Sequence, residues 1–264
     1  MPFTFFAHQG PFVRLSLRAR RWLDPVAFTV GTMSPDFAYA AVGTPLHVWA
    51  HAMPYLVTFN VPVAIVVAWI VVRIWAPIVP DHLPTGGPFR LHDYRALSQH
   101  RFGWIATPLG ALVGALSHVF LDSFTHRWGW LPHHWAWYQT PLVEERWLGR
   151  TWTPFQVAQF VGHFAFSLWC LVTIAKLGRS GWLTRSATAT NPAPATTRSR
   201  LVLWGVSGTV GALALVWVLG HPYNEGTDIL RVFAAFGAAL TAVAVVFRIR
   251  WPQAGRPREL VRHL

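Results

Sequence analysis

Five apolar runs dominate the chain, at residues 55–79, 104–124, 155–177, 201–220 and 229–247. Each is about as long as the roughly twenty residues a helix needs to cross a bilayer. A sixth run, residues 25–42, is weaker. It contains Gly31, Pro35 and Asp36, which reads as a broken or re-entrant helix, a shape tolerated at membrane depth only where protein or a wet cavity covers it. The fold class expected is therefore all-α: a polytopic membrane helix bundle of five or six spans. Composition agrees. Only 12% of residues are charged, against about one quarter in a soluble domain. Sixteen Trp and eighteen Phe suit interfacial aromatic belts.

The runs divide the chain. Residues 1–177 form a helical membrane domain, 178–200 a basic flexible linker rich in Ser, Thr, Ala and Pro, 201–248 a transmembrane hairpin, and 249–264 a basic tail. The net charge of +12 sits between the apolar runs rather than along one soluble face. That pattern points to membrane orientation and anionic lipid and excludes nucleic acid as the partner. Arg90, Arg95 and Arg101 mark the 80–103 loop, Arg179, Arg185, Arg198 and Arg200 the linker, and Arg248, Arg250, Arg256, Arg258 and Arg262 the tail. Placing all three in the cytoplasm satisfies the positive-inside rule and predicts an inner-membrane protein with a cytoplasmic C-terminus. The 124–154 loop and the acidic 221–228 turn then lie outside. The first residues lack a basic n-region and a small-residue cleavage site before Arg14, so no cleavable signal peptide is expected. Cys170, the single cysteine, lies in an apolar run and reads as a buried small hydrophobe.

Within this apolar frame a few polar residues stand out. Ser117-His118-Val119-Phe120-Leu121-Asp122-Ser123-Phe124-Thr125-His126 closes the second run. His118 and Asp122 are four apart and share a helical face; His126 would join them one turn on. Ionisable groups in a membrane-length helix are costly and point to function. His47 and His51 repeat the spacing before the run at 55, which predicts a helical turn presenting both. His8 and Asp36, the latter aimed by Pro35, complete a set of His8, Asp36, His51, His118 and Asp122. Imidazoles with carboxylates suit zinc, or manganese or iron where carboxylates dominate. One point stays open: a cytoplasmic Arg14/Arg18/Arg20/Arg21 cluster would put His8 opposite the other ligands unless the N-terminus re-enters.

The elements Met1-Pro2-Phe3-Thr4 with His8, Gly31-x-Met33-Ser34-Pro35-Asp36, the His51 turn leading to Pro62, and Ser117-His118-x-x-x-Asp122-Ser123-x-Thr125-His126 together resemble the DUF4184 family of bacterial integral membrane proteins. The family is similar in motif order to membrane-bound metal-dependent hydrolases and, more remotely, to zinc-dependent phospholipases C and nucleases. The resemblance covers the first half to two thirds of the chain. It implies metal ligation at His8, Asp36, His51, His118 and Asp122, with His47 and His126 as second-layer partners. In the related hydrolases a serine often follows the third-motif histidine; here Ala52 stands there.

The function expected is a membrane-embedded hydrolase that uses a divalent metal ion, zinc first, on a lipid or lipid-linked phosphate or ester. His126 or His47 would shuttle a proton and Arg127 would pair with a phosphate oxygen. Membrane lipids and a lipid-linked substrate are the partners implied. The competing reading is a scaffold or transporter with a structural metal or a plain polar cluster. His133 and His134 read as an interfacial loop, Glu144 and Glu145 as solvated charges, and His163 as a buried structural partner of Gln159, four residues earlier.

Overall fold

The computed structural model describes residues 4–84, 86–145, 150–185 and 195–250. The Met1-Pro2-Phe3 element, the middle of the basic linker and tail residues Arg256, Arg258 and Arg262 lie outside the described residues.

Among the described residues the regular structure is helical apart from one antiparallel hairpin, β1 (Val143–Glu145) and β2 (Arg150–Trp152), within the 124–154 segment. The helices are α1 (Thr4–Gln9), α2 (Val13–Arg18), α3 (Pro25–Gly31), α4 (Ser34–Phe37), α5 (Met53–Tyr55), α6 (Val61–Ile70), α7 (Ala106–Thr125), α8 (Trp130–His134), α9 (Pro154–Arg179), α10 (Thr197–Gly220) and α11 (Glu225–Arg250). Among the described residues, four helical stretches are long and apolar enough to cross a membrane: Met53–Trp75, Pro154–Arg179, Thr197–Gly220 and Thr227–Arg250. The first joins α5 and α6 through a π turn at Leu56–Asn60, just before Pro62, whose missing N–H cannot extend a regular ladder.

The weak run at 25–42 breaks into α3, α4 and a 3₁₀ turn at Ala38–Ala41. The linker is shorter than its composition suggests, because α9 continues to Arg179 and α10 starts at Thr197, capped by the Thr196 hydroxyl. α9 itself starts with a capping box, Thr153 with Gln156, and Pro154 in its first turn. The α10–α11 hairpin is tied to the rest: the Trp75 indole donates to Thr241 (3.0 Å), the Trp204 indole to the His82 carbonyl (3.0 Å), and Arg231 to the Val42 carbonyl (2.6 Å).

At the centre, α3 and α7 run parallel with their backbones in contact. A Cβ on Gly110 would come within 2.6 Å of the Asp24 oxygen, and one on Gly114 within 2.3 Å of the Phe28 oxygen. Gly31 faces the Ala111 carbonyl equally closely, at 2.3 Å. Small residues four apart allow this approach, as in packed membrane helices. The pairing 24 with 110 and 28 with 114 continues as Thr32 with His118. The same stripe of α7 then carries Asp122. The glycine seam thus sets the height and facing of the polar residues above it.

At the lower end of the seam Asp24 caps α3. One carboxylate oxygen accepts from the Val26 and Ala27 amides (2.9 and 3.1 Å), the other from His100 (2.9 Å) and Thr107 (3.0 Å). Burial opposes ionisation of Asp24, but these donors, His100 foremost, hold the carboxyl below its ordinary range. The nearby 80–103 loop folds around a buried Arg95–Asp81 ion pair. Arg95 is therefore committed inside the fold and is not a free surface charge, because a buried guanidinium needs its carboxylate.

Candidate metal centre

Four separate segments bring five side chains to the upper end of the seam. α7 supplies His118 and Asp122, one turn apart on the stripe. α4 supplies Asp36 from its first turn, started by Pro35. α1 supplies His8. The turn before α5 supplies His51, anchored by buried Asn60, whose amide donates to the Ala50 carbonyl (2.7 Å). His8, Asp36, His118 and Asp122 are buried, with His118 at 0% exposure and Asp122 at 2%.

Asp122 is the hub. Its Oδ2 lies 3.1 Å from His118 Nε2 and 3.3 Å from His51 Nε2; its Oδ1 lies 3.5 Å from His8 Nε2 and 3.2 Å from His126 Nδ1. Asp36 Oδ1 is 3.6 Å from His118 Nε2 and 3.7 Å from His51 Nε2. Two sets, His8/His118/Asp122 and Asp36/His51/His118, each gather their ligand atoms within 4.8 Å of one another.

Proton accounting decides what this can do. His118 Nδ1 donates to the Thr32 carbonyl at 2.8 Å, because a carbonyl can only accept. A neutral His118 therefore turns the lone pair of Nε2 inward, where His51 Nε2 stands only 3.3 Å away. Two imidazole nitrogens and two carboxylates then face one point, a donor set that could hold a divalent cation. Ligand atoms about 2.0–2.2 Å from a zinc-like ion stand roughly 3–3.6 Å apart around it, close to the spacings here. Burial favours the uncharged, ligand-competent form of His8 and pushes its pKa well below the ordinary value, assisted by His118. The carbonyl behind His118 is the kind of partner that fixes the ring of a metal-ligating histidine.

His126 sits at the rim, its side chain 26% exposed, between Asp122 and Gln159, whose amide nitrogen is 3.0 Å from His126 Nε2. Trp128 lies beside both His126 and His51, with ring centroids 5.1 and 5.3 Å apart. Arg127 is exposed, and no contact ties it to the cluster among the described residues. His47 departs from expectation. Residues 47–49 are not helical, since Gly43 (φ +81°) and Pro45 end the preceding turn and Pro54 starts the next helix. His47 and His51 therefore share no helical face, and no contact joins His47 to the cluster among the described residues. Gln159 pairs with His126 rather than with His163. His163 instead stands edge-on to His8, centroids 6.3 Å apart, and both Nδ1 atoms are buried without a hydrogen-bond partner among the described residues. The sequence carried one unread signal for the seam, Gly110-x-x-x-Gly114 in an apolar run.

The N-terminal conflict also resolves. α1 lies against α9 beside the cluster, a Cβ on Gly10 falling 2.1 Å from the Phe166 oxygen. The chain then descends through α2 to Asp24, whose amide bonds the Ala106 carbonyl at the start of α7 (2.9 Å). His8 joins the cluster, and Arg20 and Arg21 lie just before Asp24, toward the opposite end.

Searches among curated proteins and among solved structures found no match. A family model described as a domain of unknown function, DUF4184, matches residues 1–249. The match takes in every segment that builds the cluster, together with the α10–α11 hairpin, and the chain belongs to the DUF4184 family.

Proposed function

We propose that the chain is a membrane-embedded, metal-dependent hydrolase acting on a lipid or lipid-linked phosphate or ester. The observation that carries this reading is the inward turn of His118 Nε2, enforced by the Thr32 carbonyl, onto the oxygens of Asp122 and Asp36. His8, Asp36, His51, His118 and Asp122 hold one divalent ion, zinc in the first instance, with manganese or iron fitting the same donors. Such an ion supplies Lewis acidity and a water acidic enough to act near neutral pH. The chain's own residues do the rest. His126 takes or returns a proton at the rim through Nδ1, held by Asp122 and Gln159. Arg127, next in sequence and exposed, receives a phosphate oxygen. Trp128 covers the mouth.

In this reading α7 is a fifth, central span, less apolar than the other four because its stripe carries glycine, His118 and Asp122. The basic end of the bundle faces the cytoplasm of the inner membrane, together with the C-terminus, and the cluster faces outward. The near-complete burial of His118 and Asp122 supports a second reading, a closed structural metal site in a scaffold. Transport fits less well, because the ligands gather at one end rather than at mid-depth.

The test is metal analysis by mass spectrometry of detergent-purified protein, wild type beside His118→Ala/Asp122→Ala. About one equivalent in wild type and its loss in the variant is the expected result. A folded wild type that takes up neither zinc nor manganese overturns the reading. Hydrolysis of lipid phosphates or esters by the loaded wild type then separates enzyme from scaffold.

A further inference from the structure

α3 separates the buried polar cluster on one side from an apolar cavity on the other. On the face away from α7 lies a cavity of about 1160 Å³, bordered by α1, α2, α3, α6, α11 and the end of α9. Val26 and Val30 of α3, Val67 of α6, and Phe233 and Ala234 of α11 are among its walls. No charged side chain lines it among the described residues. Thr29 and Thr241 face it but spend their hydroxyls on the Pro25 and Gly237 carbonyls of their own helices (2.8 and 2.7 Å), and the Trp75 indole is satisfied by Thr241. Gln9 and Tyr94 are the other polar side chains on its border, and the rest of the wall is hydrocarbon. The space exceeds the roughly 300–1,000 Å³ of small-molecule sites. A void of that size is foreign to a close-packed interior, and three of its bordering helices are long and apolar enough to face lipid.

One end of the cavity is marked by charge. Leu17, Leu177, Gly178 and Trp182 line that end, and exposed Arg18, Lys176 and Arg179 adjoin them in sequence. Arg90 reaches the same place, its Nη1 3.3 Å from where a Gly181 Cβ would stand, while its Nε pairs with Asp93 at 2.9 Å. A hydrocarbon chamber with cations at one end matches an anionic amphiphile. We infer that this cavity holds the hydrocarbon chains of an anionic phospholipid, with its phosphate among Arg18, Lys176 and Arg179. This lipid is separate from any substrate at the metal centre, since Met33 and Phe37 line the cavity while Asp36 between them turns to the cluster.

The test reconstitutes the full chain with equimolar phosphatidylglycerol and phosphatidylcholine, returns it to detergent, and counts retained lipid by native mass spectrometry. Wild type is expected to keep one or two phosphatidylglycerol molecules. Ala234→Trp, which fills the chamber from α11, is expected to lower retention at least tenfold. Ala40→Phe, from the opposite wall, gives the same reading should the tryptophan variant fail to fold, with circular dichroism as the check. The triple variant Arg18→Ala/Lys176→Ala/Arg179→Ala is expected to keep lipid but lose the preference for phosphatidylglycerol. Equal retention of the two lipids by wild type overturns the inference. So does retention unchanged by filling the chamber, or a second copy of the chain retained in place of lipid. Metal content is read in parallel, so an empty metal centre does not count against the lipid site.

Discussion

Two buried clusters of aspartate and histidine sit at opposite ends of the same helix pair, α3 and α7, and they solve opposite problems. At the lower end both oxygens of Asp24 are met by donors: two amides, His100 and Thr107. At the upper end Asp122 and Asp36 instead face a ring of imidazole nitrogens: the His118 Nδ1 proton is spent on the Thr32 carbonyl, and His8 Nδ1 finds no partner among the described residues. The first cluster is complete as it stands. The second gathers imidazoles and carboxylates whose nitrogens and oxygens stand 3.1–3.7 Å apart, the donor set on which the proposed metal site rests. Residue type alone does not separate them; the count of protons against lone pairs does.

The sharpest way to break this comparison is to delete each hub. Asp122→Ala is expected to abolish metal-dependent stabilisation, which for a ligand at about one hundred times its Kd is about 2.7 kcal/mol. Asp24→Ala should leave that increment intact while lowering the stability of the metal-free protein. The lost cap costs about 1–2 kcal/mol, and the stranded donors add to it. Thermal unfolding of both variants with and without zinc gives the answer, and equal metal responses would erase the distinction. Gly114→Ala tests the seam that joins the clusters. Its Cβ must push against the Phe28 carbonyl, so a loss of about 1–3 kcal/mol accompanied by weaker metal binding is expected. Unchanged metal affinity in that variant would uncouple seam from centre.

A pH series separates the ends more finely. Because Asp24 is depressed in the folded state, its contribution is complete above about pH 4 and is lost as the pH falls through the lower folded value. The gap in Tm between wild type and Asp24→Asn should therefore be constant near neutrality and shrink below pH 4; a gap that widens with acid contradicts the geometry. The smallest effect is expected at His163. Removing this neighbour of His8 by His163→Ala should weaken metal affinity roughly tenfold without abolishing it, as for other outer partners, measured by competition with a chelating dye.

Much of this was legible in the residues. The runs that became the four long helices announce themselves, because a bilayer admits little else. His8, Asp36, His51, His118 and Asp122 were all named and all converge, since ionisable groups in apolar surroundings are too costly to be incidental. What escaped has a common cause. Thr32 acts through its carbonyl, Gly110 and Gly114 act by having no side chain, and Asn60 acts by holding a turn ten residues away; none of these changes composition. Asp24 escaped because its partners, His100 and Thr107, are more than seventy residues distant. His47 failed because a spacing of four has meaning only inside a helix, and Pro45 and Pro54 bracket it.

The parallel seam has a mechanical consequence. α3 is seven residues long and is held to α7 backbone against backbone. Eight residues, a rise of about 12 Å, separate Gly114 from Asp122 along α7. The height of the cluster is therefore measured from inside the bundle and not from the lipid surface. When the surrounding bilayer thickens or thins, the long outer helices can tilt to follow it. The short strut at the centre has nothing to tilt against, so the clustered side chains keep their spacing while the membrane around them changes.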